Sequence, residues 1–204
     1  MTQGPPLGVG GTEDLGFTAE AVTSNHICLI YDQDEQRWPV LSHYLAAGLR
    51  SGEFVRYFAD ATTAEAVRVR LRRIGVDVAD AEERGAFGFV DAVVAYCPQG
   101  HFDPGEVIDR IARSYEAAHR AGYTGTRNSG EMSWALQGIP GSGRFLEYEE
   151  RLNAISTPYR HSGICQYDAR IFDGASLSRV LQVHPFLVVQ GQIVRNPSYR
   201  RPGE

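Results

Sequence analysis

The feature that most constrains the fold is a regular alternation of short apolar runs with longer, helix-patterned ones. HICLIY (26–31) reads as a strand, with His26 and Cys28 on one face and Ile27 and Leu29 on the other, because side chains alternate along an extended chain. Apolar spacing then predicts a helix over about residues 35–50, and EFVRYFA (53–59) a second strand. TTAEAVRVRLRRIG (62–75) is a helix with Thr62 or Thr63 as its N-cap and Gly75 past its end. AFGFVDAVVAY (86–96) holds a third strand. FDPGEVIDRIARSYEAAHRAG (102–122) is a long helix capped at Asp103, with Pro104 in its first turn. TGTRNSGEMSW (124–134) is a strand followed by a loop. Helix SGRFLEYEERLNAIS (142–156), strand HSGICQYDARIF (161–172) and a short helix stopped by Pro185 follow. FLVVQGQIVRNPSY (186–199) closes the pattern as a hairpin turning at Gln190-Gly191.

Strands that alternate with helices bury both faces of a mostly parallel sheet. The expected fold is therefore an α/β three-layer sandwich with an antiparallel C-terminal hairpin. Residues 1–20, rich in Gly and Pro, are expected to be a disordered tail, and residues 21–200 a single domain. The 43% hydrophobic and 22% charged residues are ordinary for a globular chain. No apolar run reaches the ~20 residues that span a bilayer, and no secretory signal opens the chain. Three cysteines, Cys28, Cys97 and Cys165, form no CxxC pair. They suit reduced thiols and a cytoplasmic location better than a disulfide framework. The net charge of -5 argues against direct nucleic-acid binding.

No G-x-x-x-x-G-K-[ST] phosphate loop is present, and the 20 basic residues are all Arg. GIPGSGRF (138–145) is the nearest Gly-rich turn, and it lacks a preceding strand. Neither a G-x-S-x-G elbow nor an H-E-x-x-H pair occurs. The chain is therefore not expected to be an enzyme. In GTRNSGEMSW, Arg127, Glu131, Met132 and Trp134 mix two charges with apolar walls, as small-molecule pockets do. The alternative is an ion pair from Arg127 to Glu131 or Glu149. Glu149 and Asn153 are four apart and share a helix face; if that face is buried, Glu149 needs a partner, and Arg127 is the obvious one.

Several segments in order, NHICLIYD, AAGLRSGEFVRYF, GTRNSGEMSWAL, EYEERLN, ICQYDARIF and VHPFLVV, resemble the MEDS domain, a sensory domain named from methanogens, methylotrophs and a dichloromethane-responsive repressor. The resemblance spans about residues 20–200. It implies a RecA/KaiC-like fold without its Walker A loop and a role in sensing small organic molecules for regulators. The family's motif positions fall on His26 and Cys28; Arg127, Gly130, Glu131, Met132 and Trp134; Tyr148, Glu149 and Asn153; Cys165, Tyr167 and Asp168; and His184 and Pro185.

The resulting expectation is a free-standing sensory domain without a cofactor. A small organic ligand would sit at the sheet end against His26, Cys28, Arg127, Glu131, Trp134, Cys165, Glu149 and Tyr167. The signal would pass to a protein partner such as a kinase, an anti-sigma factor or a transcription regulator. Two other readings stay open. One is a ligand-free interaction module regulating an anti-sigma factor or kinase partner. The other is a metal or redox sensor, with no metal site assigned in the main reading but His26, Cys28 and Cys165 as its ligands. Free cysteines are also common as plain core residues.

Overall fold

The structure, a computed structural model, describes residues 24–155 and 160–201. The expectation for residues 1–20 lies outside them. In chain order the elements are β1 (Ser24–Tyr31), α1 (Asp34–Arg50), β2 (Phe54–Ala59), α2 (Ala64–Arg73), α3 (Val78–Glu83), β3 (Phe87–Asp91), α4 (Ala92–Tyr96) and α5 (Pro104–Arg120). They continue with β4 (Thr126–Glu131), α6 (Phe145–Asn153), β5 (His161–Asp168), α7 (Gly174–Val183), β6 (Phe186–Val189) and β7 (Gln192–Arg195). The strands form one sheet in the order β3-β2-β4-β5-β1-β6-β7. Every neighbouring pair is parallel except the β6–β7 hairpin.

Helices cover both faces, as a parallel sheet requires. Trp38, Leu41, Tyr44 and Leu45 of α1, with residues of α2 and α3, pack on Ile27, Leu29, Val55 and Ile164. The opposite face carries Cys28, Cys165 and Tyr167 beneath α4, α5, α6 and α7. Local sequence signals account for the helix starts. Thr63 and Asp103 accept bonds from the N–H groups of Ala66 and Glu106, and Pro104 opens α5. Gln190 and Gly191, with φ of 49° and 80°, form the turn of the hairpin. The sequence pattern missed α3 and α4. Each spans six residues or fewer, too short for a helical period to show.

The segment GIPGSGRF holds a short 3-10 turn (Ser142–Arg144) that leads into α6. Its Arg144 pairs with Asp103 and Glu147. Gly141 in this segment has φ of 84°, and a Cβ there would lie 2.1 Å from the carbonyl oxygen of Phe102. Only glycine fits both conditions. Gly141→Ala is therefore expected to lower the unfolding free energy by roughly 2 kcal/mol or more, from a strained φ together with a backbone clash. Urea denaturation measures it, and an unchanged midpoint would contradict the close approach.

Candidate functional site

Residues of β1, α6, β5 and the end of α7 converge on one buried cluster. The register of β1 and β5 sets Cys28 opposite Cys165 and His26 opposite Gly163. His26 and Cys165 therefore share the face beneath α6. From α6, Glu149 reaches into that layer and is fully buried. Its Oε2 lies 2.7 Å from His26 Nε2 and 3.4 Å from His184 Nε2. The Cys165 thiol donates to the same oxygen at 3.5 Å. The Tyr167 hydroxyl donates to Oε1 at 2.7 Å.

The outer edges of both imidazoles are fixed. Asn153 donates its amide N–H groups to the carbonyls of Glu149 and Val183, which leaves its Oδ1 facing His26 Nδ1 at 3.0 Å. His184 Nδ1 lies 2.8 Å from the Val180 carbonyl, which can only accept. Both Nδ1 atoms therefore carry protons, and both Nε2 atoms face Glu149. Burial works against the Glu149 charge, yet the bonds with His184 and His26 outweigh it and hold the carboxyl well below its usual range. Burial, reinforced by neighbouring His184, lowers His26. Burial, with Glu149 beside it, pushes the Cys165 thiol well up.

The residues expected to form one pocket at the sheet end fall into separate environments. His26, Glu149, Cys165 and Tyr167 come together. Cys28 is buried next to them but outside the cluster, so the trio His26, Cys28 and Cys165 is not a unit. Trp134 stacks on Tyr96 in the core of the same face, with ring centres 4.8 Å apart. Arg127 and Glu131 point to the other face. Neither expected pairing of Arg127, with Glu131 or with Glu149, occurs. Arg127 instead holds Glu53 through two N–H groups, at 2.6 and 3.2 Å, and donates to the Tyr44 carbonyl. Gly48 leaves it room, since a Cβ there would come within 2.7 Å of Arg127 Cδ.

Glu131 ends β4 at the carboxyl edge of the sheet. Its carboxylate accepts N–H bonds from Asp60, Ala61 and Thr62, the three residues after β2, at 2.7 to 3.1 Å. The hydroxyls of Tyr57 and Thr62 and the guanidinium of Arg37 complete its shell. Burial opposes the charge, but these donors prevail and lower the pKa of Glu131. The sheet end, where open α/β folds bind ligands, is thus filled by the chain's own charged pair.

The face beneath α4, α5 and α6 does hold a cavity of about 230 Å³. Phe58, Val107, Ile111 and Leu152 supply its apolar wall. Tyr96, Tyr115, Tyr148, Asn128, Arg56 and Arg110 supply polar groups, and Cys165 and Gly163 are part of its sheet side. Among the described residues no carboxylate pairs with Arg56; its N–H groups go to the carbonyls of Val55, Gly85 and Ala86. Burial without a counter-charge lowers its pKa to about 10. Sequence reasoning missed Arg56, Arg37 and the part His184 plays. Strand alternation places Arg56 on the cavity face, but only the strand order brings the residue before Pro185 against β1.

The model of the family described as MEDS, the MEthanogen/methylotroph, DcmR Sensory domain, matches residues 25–185. The chain belongs to this family. It is also 28% identical over 164 residues to the transcriptional repressor DcmR of Methylorubrum extorquens (strain DSM 6343 / CIP 106787 / DM4). That match covers 78% of this chain and 58% of the repressor, so the chain spans less than two thirds of its relative. Membership places the domain in a sensory, regulatory role. Among solved structures, it resembles an uncharacterized protein of Pyrococcus horikoshii crystallised with an unknown peptide (TM-score 0.58, 17% identity, 81% of this chain and 77% of that one). It also resembles a KaiC-like protein of the same archaeon (0.53, 14%, 80% and 69%) and the flagellar accessory protein FlaH of Methanocaldococcus jannaschii (0.55, 12%, 88% and 84%). The MEDS domain therefore has a RecA/KaiC-like fold, here without the Walker A sequence.

Two outcomes follow from the buried charges. Arg127→Met strands Glu53 and is expected to cost roughly 3–5 kcal/mol of stability in urea denaturation; a loss under ~1 kcal/mol would contradict a buried pair. A carboxyl with a lowered folded pKa stabilises above its unfolded pKa, and that contribution is lost as pH falls. Glu131→Gln should be less stable at neutral pH and lose stability less steeply than the wild type as pH falls below about 4.5, the ordinary Glu value. Parallel acid-denaturation slopes would contradict this.

Proposed function

We propose that this MEDS domain binds a small organic molecule in the cavity beneath α4, α5 and α6 and signals through a partner regulatory protein. The carrying observation is the cavity itself. Its wall is mostly apolar, with a few convergent polar groups, as small-molecule sites generally are. Its volume of about 230 Å³ favours a ligand of few heavy atoms. Arg56, a cation without a carboxylate partner among the described residues, favours a ligand whose apolar body carries an anionic or electronegative group. The chain binds and does not turn over this ligand.

The output runs through protein contact. A ligand shifts a conformational population only if it prefers one state, and α5 and α6, which roof the cavity, are the elements it would displace. The partner is a transcription regulator, a kinase or an anti-sigma factor. Among the described residues no helix is long and apolar enough to cross a membrane.

Gly163 supplies the test. It lies in the sheet side of the cavity, and a Cβ there would meet nothing within 4 Å. Gly163→Val should therefore fold and fill ligand space. In a thermal-shift panel of small carboxylic acids, alcohols and halogenated hydrocarbons, at least one class should raise the wild-type melting temperature, because binding to the folded state stabilises it. The shift should vanish in Gly163→Val. No shift with any class, together with a native mass spectrum free of co-purifying organic mass, would reject the proposal. A defined partner recovered under those conditions would favour a ligand-free interaction module.

A further inference from the structure

Beside the cavity, and sharing Cys165 with it, four potential ligand atoms meet where β1, α6, β5 and the end of α7 come together. They belong to His26, Glu149, Cys165 and His184, all buried, and all lie within 4.8 Å of one another. We propose that these four residues bind a single zinc ion, through His26 Nε2, His184 Nε2, Cys165 Sγ and Glu149 Oε2. The inference is independent of ligand binding in the cavity.

The directions of the lone pairs carry it. Both Nδ1 protons are committed outward, to Asn153 Oδ1 and to the Val180 carbonyl. A neutral imidazole has only one N–H. With Nδ1 committed outward, each Nε2 faces Glu149 Oε2, at 2.7 Å for His26 and 3.4 Å for His184, and a proton held between them is the one a metal ion would replace. Glu149 Oε2 is an acceptor too. Once the protons shared with the carboxylate leave to solvent, three acceptors face one another in a buried volume, and a cation at the centre satisfies all three. The outer contacts match those of a metal centre, in which ligating imidazoles donate their second N–H to an oxygen and ligating carboxylates are themselves hydrogen-bonded. Tyr167 holds Glu149 Oε1 in this way and leaves Oε2 free to turn inward.

The spacing suits zinc. Bonds of about 2.0–2.3 Å place tetrahedral ligand atoms roughly 3.3–3.8 Å apart. The separations His26 Nε2–Cys165 Sγ, His184 Nε2–Glu149 Oε2 and Cys165 Sγ–Glu149 Oε2 are 3.4, 3.4 and 3.5 Å. His26 Nε2–Glu149 Oε2, at 2.7 Å, must open, and every pair among the four atoms lies within 4.8 Å. Two nitrogens, one sulfur and one oxygen form a borderline donor set that suits zinc; a carboxylate would be out of place around reduced copper. The Cys165 proton leaves to solvent as the thiolate–zinc bond forms. All four positions are filled by protein, so the ion holds elements together and has no open site for chemistry. Cys28 lies outside the set, which distinguishes this centre from a two-cysteine site.

The full chain, expressed with added zinc, should carry one zinc per molecule by elemental analysis. Expressed with cobalt instead, it should show a near-ultraviolet thiolate-to-cobalt band. That band should persist in Cys28→Ser and in Cys97→Ser and disappear in Cys165→Ser, and zinc should fall severalfold in His184→Ala. If Cys165→Ser does not fold, persistence in the other two variants assigns the thiolate by elimination. A chain with less than about a tenth of an equivalent of zinc and no thiolate band would overturn the proposal, as would a band that follows Cys28 or Cys97.

Discussion

A charge cannot be left unpaired in a protein interior, and this domain buries the carboxylates of Glu53, Glu131 and Glu149. Desolvation of each costs several kcal/mol unless close partners compensate it. The fold is arranged around those partners. Glu53 is matched by Arg127 across β4. Glu131 ties the carboxyl edges of β2 and β4 to α1 through Arg37. Glu149 ties α6 to β1, β5 and the end of α7. Each joins segments distant in sequence, so the pairs specify which elements pack together, whereas the apolar layers supply the bulk of the cohesion.

The Glu131 pair occupies the edge of the sheet where folds of this architecture gather anions. In open α/β sheets the carboxyl edge is where backbone N–H groups gather and anions bind. Here three successive N–H groups, of Asp60, Ala61 and Thr62, face an anion that belongs to the protein. Arg37 stands on the same carboxylate and also bonds Gln166. An incoming phosphate would have to displace an internal carboxylate from every donor at once. The edge is a structural joint, and a cavity lies on the helical face around Arg56 and Tyr96.

Much of the architecture is legible in the residues. Period-two runs give the strands, Asp103-Pro104 and Thr63 start helices, and Gln190-Gly191 makes the hairpin turn. Cys28 and Cys165 stand opposite one another on the paired strands β1 and β5. Individual side-chain partners are another matter. Arg127 and Glu131 sit four apart on one strand and share a face, and each is claimed by a charge more than 70 positions away. Proximity in sequence carries little weight against strand order, which brings distant chain segments to the same place. His184 shows the same limit. Its helix-closing context is clear from Pro185, while its approach to Glu149 depends on β6 pairing with β1.

The cavity and the four-residue cluster share Cys165, whose side chain belongs to the cavity's sheet side and also donates to Glu149. A side chain common to both gives a physical route between them, because interiors are close-packed and displacement of one wall is felt by its neighbour. α6 lies on that route as well. Tyr148 faces the cavity, Glu149 and Asn153 face the cluster, and the helix is nine residues long. A ligand that pushes on Tyr148 must either rotate α6, which strains the Glu149 contacts, or leave it in place and order the roof through α5. Rotation meets the stiffer restraint, since Glu149 is held from three elements at once. α5 is joined to the 95–96 backbone through Arg110 by bonds of 3.2 and 3.3 Å.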